Sequence, residues 1–243
     1  MEVLNWLLIF IASIAAGFIN IMAGGGSMLT IGLMILLGYD PQLANGTNRI
    51  GVLIGALSGA ATFKSEKFSD MKTSFLLAAF AIPGAIIGSI YSVKISAEAF
   101  EKSLAIVMIF IILTMFLPKG KRVGDGPKTS FLIYPAMLFV GFYGGFIQVG
   151  VGFLLMASLK HLSNFDLVRV NMHKTFIVLI YTLPVILVFG ISGKIDIWLA
   201  AIISGGNAIG SYISVKLAIK KGEKLVKIIL AVSVLLMAVK FLV

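Results

Sequence analysis

Two short polar runs stand out in a chain of 243 residues that is 59% hydrophobic: ANGTNR at Ala44–Arg49 and VNMHKT at Val170–Thr175. Each offers asparagine followed by cationic or cationisable groups. These are Asn45, Asn48 and Arg49 in the first run, and Asn171, His173 and Lys174 in the second. Both runs are expected just before or at the start of a helix. Amide N–H groups beside a guanidinium or ammonium suit an oxyanion, with Arg as a planar fork and Lys as a point charge. The alternative use is anchoring, with long cations snorkelling to lipid headgroups.

A second set of candidates is backbone. AGGGS at Ala23–Ser27 and QVGVG at Gln148–Gly152 interrupt long apolar stretches. Glycine costs about 1 kcal/mol against alanine inside a helix, so three in a row read as a deliberately opened chain. Gly24, Gly25 and Gly26, with Gly150 and Gly152 in the second run, permit a sharp turn and close approach of a ligand. A helix starting near Ser27 as N-cap would aim free N–H groups and its positive dipole end at that tip. Such an end binds anions. Other glycines, such as Gly84 and Gly88, read better as close-packing residues between helices.

Several chemistries are excluded by what is missing. All ten acids, among them Asp40, Asp70, Asp166 and Asp196, fall at loops or segment ends. Cation channels and carboxylate proton relays place acids within the membrane. The chain has no cysteine, so disulfides, thiolate metal sites and cysteine nucleophiles are out. Two separated histidines and no buried acid argue against an enzyme, and no Walker loop is present. No cofactor or metal is expected. His173 is the group near these runs that titrates near neutrality.

The elements that must position these residues are membrane-spanning helices. Charged residues make up 12% of the chain, against about 25% in soluble domains, and mean hydropathy is +1.07. Open strands cannot face lipid, so the spans are helical. The net charge of +10 sits in short loops, as the positive-inside rule expects, and not in a nucleic-acid-binding face. Glu2 precedes Val3–Ile21 with no basic region, so that segment reads as part of the mature fold and not a cleaved signal.

The chain matches itself at a shift of about 126: Gly24 with Gly150, Gly26 with Gly152, Asn45 with Asn171, Phe63 with Phe189 and Asp70 with Asp196. At a shift of 122, GSIYSVK (Gly88–Lys94) meets GSYISVK (Gly210–Lys216). Two repeats follow, 1–118 and 130–243, joined by a cytoplasmic linker at 119–129 within PKGKRVGDGPK (Pro118–Lys128). Each repeat reads as a broken, glycine-tipped segment followed by three helices, near 47–63, 73–93 and 101–117, then 173–190, 197–215 and 225–242. The second arm of the broken segment, about 11 residues or ~17 Å of helix, is too short to cross a ~30 Å core. It therefore reads as re-entrant. Three true crossings per repeat invert the second repeat relative to the first. That arrangement places 15 of the 20 Lys and Arg residues inside, leaving Arg49, Lys94, Lys102, Lys194 and Lys240 outside. The expected fold is an all-α polytopic membrane protein of two inverted repeats, whose tips meet near the midplane, where transporters of this build hold substrate.

With these residues in view, the chain resembles the TauE/SafE sulfite exporter family of permeases, also known for organosulfonate transport. The resemblance rests on GFINIMAGGGSMLTIGLMILLGYDPQLANGTNRIGVLIGALSG (Gly17–Gly59), GFYGGFIQVGVGFLLMASLKHLSNFDLVRVNMHK (Gly141–Lys174) and GNAIGSYISVKLAIKKGEKLVK (Gly206–Lys227). It implies a multi-pass transporter of sulfite or another small sulfur-containing anion in a bacterial or archaeal plasma membrane, with two homologous halves. The expected substrate site comprises Gly24, Gly25, Gly26, Ser27, Asn45, Asn48, Arg49, Gln148, Gly150, Gly152, Asn171, His173 and Lys174. Export driven by membrane potential or alternating access is the leading expectation. Proton-coupled anion uptake through His173 and a non-transporting membrane scaffold are the alternatives. The expected partners are a small anion and the bilayer, with no nucleic acid.

Overall fold

In a computed structural model the described residues are 2–103 and 130–242, apart from 97, 101 and 164. They form α1 (Glu2–Met22), α2 (Ser27–Leu36), α3 (Pro41–Ser65), α4 (Met71–Lys94), α5 (Ile133–Phe146), α6 (Val151–Leu162), α7 (Leu167–Ile191) and α8 (Ile197–Leu242). The expected helix at 101–117 and the linker at 119–129 lie outside the described residues, apart from 102 and 103. Near the expected 216–224 connection α8 breaks at Gly222, whose φ is 67° and ψ −162°.

The acids at segment ends are helix caps. Asp40 Oδ1 accepts the Leu43 N–H at 2.8 Å ahead of Pro41 at the first helical position, and Asp70 accepts from Thr73 at 3.1 Å. Asp166 accepts from Val168 and Arg169 at 2.9 Å each, and Asp196 from Leu199 at 3.0 Å. Each side chain satisfies amides that have no partner within their own helix. These caps start α3 and α7 about six residues before the expected 47 and 173. The two polar runs are therefore inside helices and not ahead of them. Ser27 is also not the N-cap: Gly26 holds that position, and Ser27 donates its N–H to Asn20 Oδ1 at 3.2 Å.

Among the described residues four helices are long and apolar enough to cross a membrane: Val3–Met22, Met71–Lys94, Leu167–Ile191 and Ile197–Gly222. The 10, 14 and 12 residues of α2, α5 and α6 span only roughly 15–21 Å. Thus α1–α2 and α5–α6 form two helical hairpins, and α1 exceeds its counterpart α5 by seven residues (21 against 14). Outward side chains such as Val3, Leu7, Phe75, Phe139 and Leu187 are more than half exposed, as suits helices solvated by lipid.

The long arm of each hairpin packs on a helix of the other half, α1 along α8 and α5 along α4. Small residues bring these backbones into contact. A Cβ on Gly84 would lie 2.1 Å from the Leu138 carbonyl oxygen, and one on Gly145 2.0 Å from that of Ala85. On the other side, a Cβ on Gly210 would lie 2.0 Å from the Ile14 carbonyl oxygen. Gly84 and Gly210, 126 residues apart, thus make the same kind of contact, each against a carbonyl of the hairpin arm beside it.

Between the pairs, α3 and α7 run antiparallel. The start of α3 lies beside the end of α7: Lys194 Nζ is 3.3 Å from Asp40 Oδ1, and a Cβ on Gly46 would meet the Lys194 carbonyl. Further along, Gly59 faces Thr175.

Candidate functional site

The two hairpin tips cross in backbone contact. Gly24 and Gly150 have φ of +92° and +72°, the left-handed region that glycine tolerates. A Cβ on Gly24 would lie 2.3 Å from Gly152 Cα, and one on Gly152 would lie 2.2 Å from Gly24 Cα. No larger residue fits either position at this separation. Of the expected site residues, Gly24, Gly152, Gln148 and Lys174 line one cavity of about 30 Å³ beside the crossing. That is room for about one water. Asn20, Thr175, Asn207 and Ser211 complete its polar lining, and no carboxylate lines it among the described residues. None of these four was among the expected site residues; the available signal was a polar side chain within an apolar span.

The lining is rich in donors. Lys174 Nζ donates to the Ile21 carbonyl at 2.7 Å and to Asn171 Oδ1 at 2.9 Å, leaving one of three protons. The backbone N–H groups of Val151 and Gly152 have no protein acceptor among the described residues, nor have those of Gly25 and Gly26. At α2 the anion site expected from a bare helix start is partly filled by the chain itself. Ser27 is bonded to Asn20, and Met28 and Leu29 donate to the carbonyls of Gly25 and Gly26.

The Asn-plus-cation runs clamp the opposite hairpin. Arg49 Nη1 donates to the Gly144 carbonyl at 2.8 Å and Nη2 to that of Gly145 at 2.6 Å, while the guanidinium lies 4.5 Å above the Phe189 ring centroid. Asn45 Nδ2 reaches the Phe146 carbonyl at 3.2 Å. In the other half Lys174 takes the Ile21 carbonyl, and Asn171 Nδ2 that of Met22 at 3.4 Å. The last carbonyls of α1 and α5 are thereby satisfied, and each cation faces a negative dipole end. All four side chains are buried.

The remaining expected residues lie off the cavity. Asn48 Oδ1 accepts from Thr30 Oγ1 at 2.6 Å, tying α3 to α2. His173 Nδ1 is 2.9 Å from Ser74 Oγ, and its ring stacks on Phe165 with centroids 4.4 Å apart. It faces α4 and the loop before α7.

Long apolar helices around two broken, crossed hairpins with a buried polar cavity define a polytopic α-helical membrane protein. Residues 9–241 match the model of the sulfite exporter TauE/SafE family. The chain therefore belongs to that family, one of membrane transporters and not of enzymes. Among its relatives is a "Probable membrane transporter protein" of Haemophilus influenzae, 24% identical over 236 residues, covering 96% of this chain and 92% of that one. "Probable membrane transporter protein ORF9" of Sinorhizobium sp is 26% identical over 238 residues, covering 96% and 91%. "Probable membrane transporter protein YfcA" of Escherichia coli is 26% identical over 238 residues, covering 96% and 88%. No solved structure matches the chain.

Proposed function

We propose that this protein carries a small sulfur-containing oxyanion, sulfite or an organosulfonate, out of the cell across the plasma membrane. The anion binds in the cavity between the crossed tips. The observation that carries this reading is the lining itself: the Lys174 ammonium, the Asn20 and Gln148 amides and the unspent backbone N–H groups of Val151 and Gly152, with no carboxylate among the described residues. A cation and unspent N–H donors, with no carboxylate beside them, favour an anion and repel a cation. Membership of a sulfite exporter family makes sulfite the first probe.

In this reading Lys174, Gln148, Asn20 and the backbone N–H groups of Val151 and Gly152 meet the anion. Asn45, Arg49 and Asn171 hold the hairpin ends that present it. The antiparallel packing of α3 and α7, and the exchange of clamps between halves, support the inverted repeat. A cavity of one water's volume means that the tips must part for substrate to fit, as alternating access requires. An outgoing monoanion gains about 2.3 kcal/mol per 100 mV of interior-negative potential, so export needs no coupling ion. His173 is turned away from the cavity, so proton-coupled uptake through it gains no support.

Purified protein in liposomes tests the reading. With sulfite inside and an imposed interior-negative potential, efflux is expected to exceed that of protein-free vesicles and to rise with the potential. Methanesulfonate, sulfate and chloride define the range. Absence of flux with every anion, in vesicles shown to hold folded protein, would remove the proposal.

A further inference from the structure

We propose that Arg49 is a positioning residue for the anion site, acting through Gln148. This rests on the anion reading above. The repeat-related clamps are not alike. Lys174 lines the cavity, whereas Arg49 does not. Arg49 stands behind Gln148: besides its two carbonyl contacts, Nη1 donates to Gln148 Oε1 at 3.0 Å. A guanidinium carries only donors, so the Gln148 atom facing it has to be the oxygen. The backbone N–H of Gln148 is held by Asn45 Oδ1 at 3.3 Å. With the oxygen engaged by Arg49, the NH2 is left as the donor that Gln148 can offer an anion. Without Arg49 the amide is free to turn over and present its oxygen, an acceptor that repels an anion.

The same logic recurs at Asn20. Its Oδ1 is engaged by the Ser27 N–H, again a pure donor, leaving the Asn20 NH2 unspent. Asn20 and Gln148 are thus oriented from behind by donors, whereas the third carboxamide on the wall, Asn207, donates its NH2 to the Ile203 carbonyl at 3.1 Å. Arg49 and Gln148 are each buried to at least 98%, so water cannot readily take over the orienting role.

The test is a double-mutant cycle on sulfite efflux from proteoliposomes, with wild type, Arg49→Lys, Gln148→Ala and the double variant at equal incorporated protein. A lysine keeps the charge but cannot bond both carbonyls and the amide in fork geometry. Losing a hydrogen bond to a charged ligand is expected to raise KM about 10- to 100-fold in Gln148→Ala. Arg49→Lys is expected to raise KM in the same direction with maximal rate largely kept. The double variant should be no worse than the poorer single, because an unoriented amide has little left to lose. Effects that multiply in the double variant, or loss of maximal rate in Arg49→Lys at unchanged KM, would show Arg49 to be a helix clamp alone.

Gln148→Glu serves as a second variant that does not disturb Arg49. It keeps an oxygen on the guanidinium and so keeps the fold, read as an unchanged melting temperature, but offers the anion a carboxylate. Sulfite efflux is expected to vanish; a wild-type KM would overturn the proposal. If wild type itself moves no oxyanion, the anion reading falls and this one with it. Multiplicative effects alongside active wild type overturn this one alone.

Discussion

At the scale of single residues, Lys174 bears on two functions at once. Its ammonium holds the Ile21 carbonyl and borders the cavity. Removing the charge takes a cation from the site and uncaps the end of α1. Breaking a buried charged contact costs about 2–5 kcal/mol, so Lys174→Gln is expected to raise the KM for sulfite by roughly 30-fold or more, measured by efflux at equal membrane abundance. A KM within threefold of wild type would place the anion elsewhere. Gly152 tests the crossing itself. Because its nearest neighbour is the Gly24 backbone at 2.2 Å from a would-be Cβ, even Gly152→Ala forces the tips apart. Flux is expected to fall sharply while membrane insertion, read by fractionation, is retained. Normal flux in that variant would mean that the tips do not meet in the working protein.

At the scale of elements, the hairpin arms depend on small residues. A leucine at Gly145 would collide with the Ala85 carbonyl, and one at Gly210 with the Ile14 carbonyl. The α4–α5 and α1–α8 pairs would have to separate, and overpacking of this kind costs about 1–3 kcal/mol or more. Gly145→Leu and Gly210→Leu are both expected to lower the melting temperature in detergent, since each glycine lets one of the two helix pairs close. Tolerance of leucine at Gly145 would contradict the packing. The caps act more gently. Losing Asp166, which accepts from two amides, is expected to cost about 1 kcal/mol, seen as a small drop in melting temperature with sulfite KM unchanged.

At the scale of the whole molecule, orientation is the open question that charge answers. The end of α3 at Ser65 lies near the Glu66–Lys216 ion pair, together with Lys64 and Lys67. The opposite end carries Asp40 and Lys194. The cation-rich end is expected in the cytoplasm. The chain has no cysteine, so single cysteines report cleanly. In intact cells an impermeant thiol reagent is expected to label Ser192→Cys and to spare Ser69→Cys and Lys221→Cys, all three positions being exposed. Labelling of Ser69→Cys from outside would reverse the topology.

Much of this architecture was legible in the chain before any coordinates. Hydropathy, the scarcity of charge and the cost of glycine in a helix are local quantities. They suffice for an all-helical membrane protein with two opened, glycine-tipped segments. The spacing of Asp70 to Asp196 reads as a repeat match, and the structure makes both of them helix caps, because a carboxylate ahead of a helix accepts from amides two or three residues away. Polar pairing was not legible, because its partners are remote. Arg49 meets carbonyls 95 and 96 residues along the chain, and Lys174 meets one 153 residues back. Both runs looked like equal anion ligands in sequence. Only tertiary packing decided that Lys174 borders the cavity while Arg49 stands behind Gln148. It did so because a buried cation takes whichever carbonyls the crossing hairpins bring within reach.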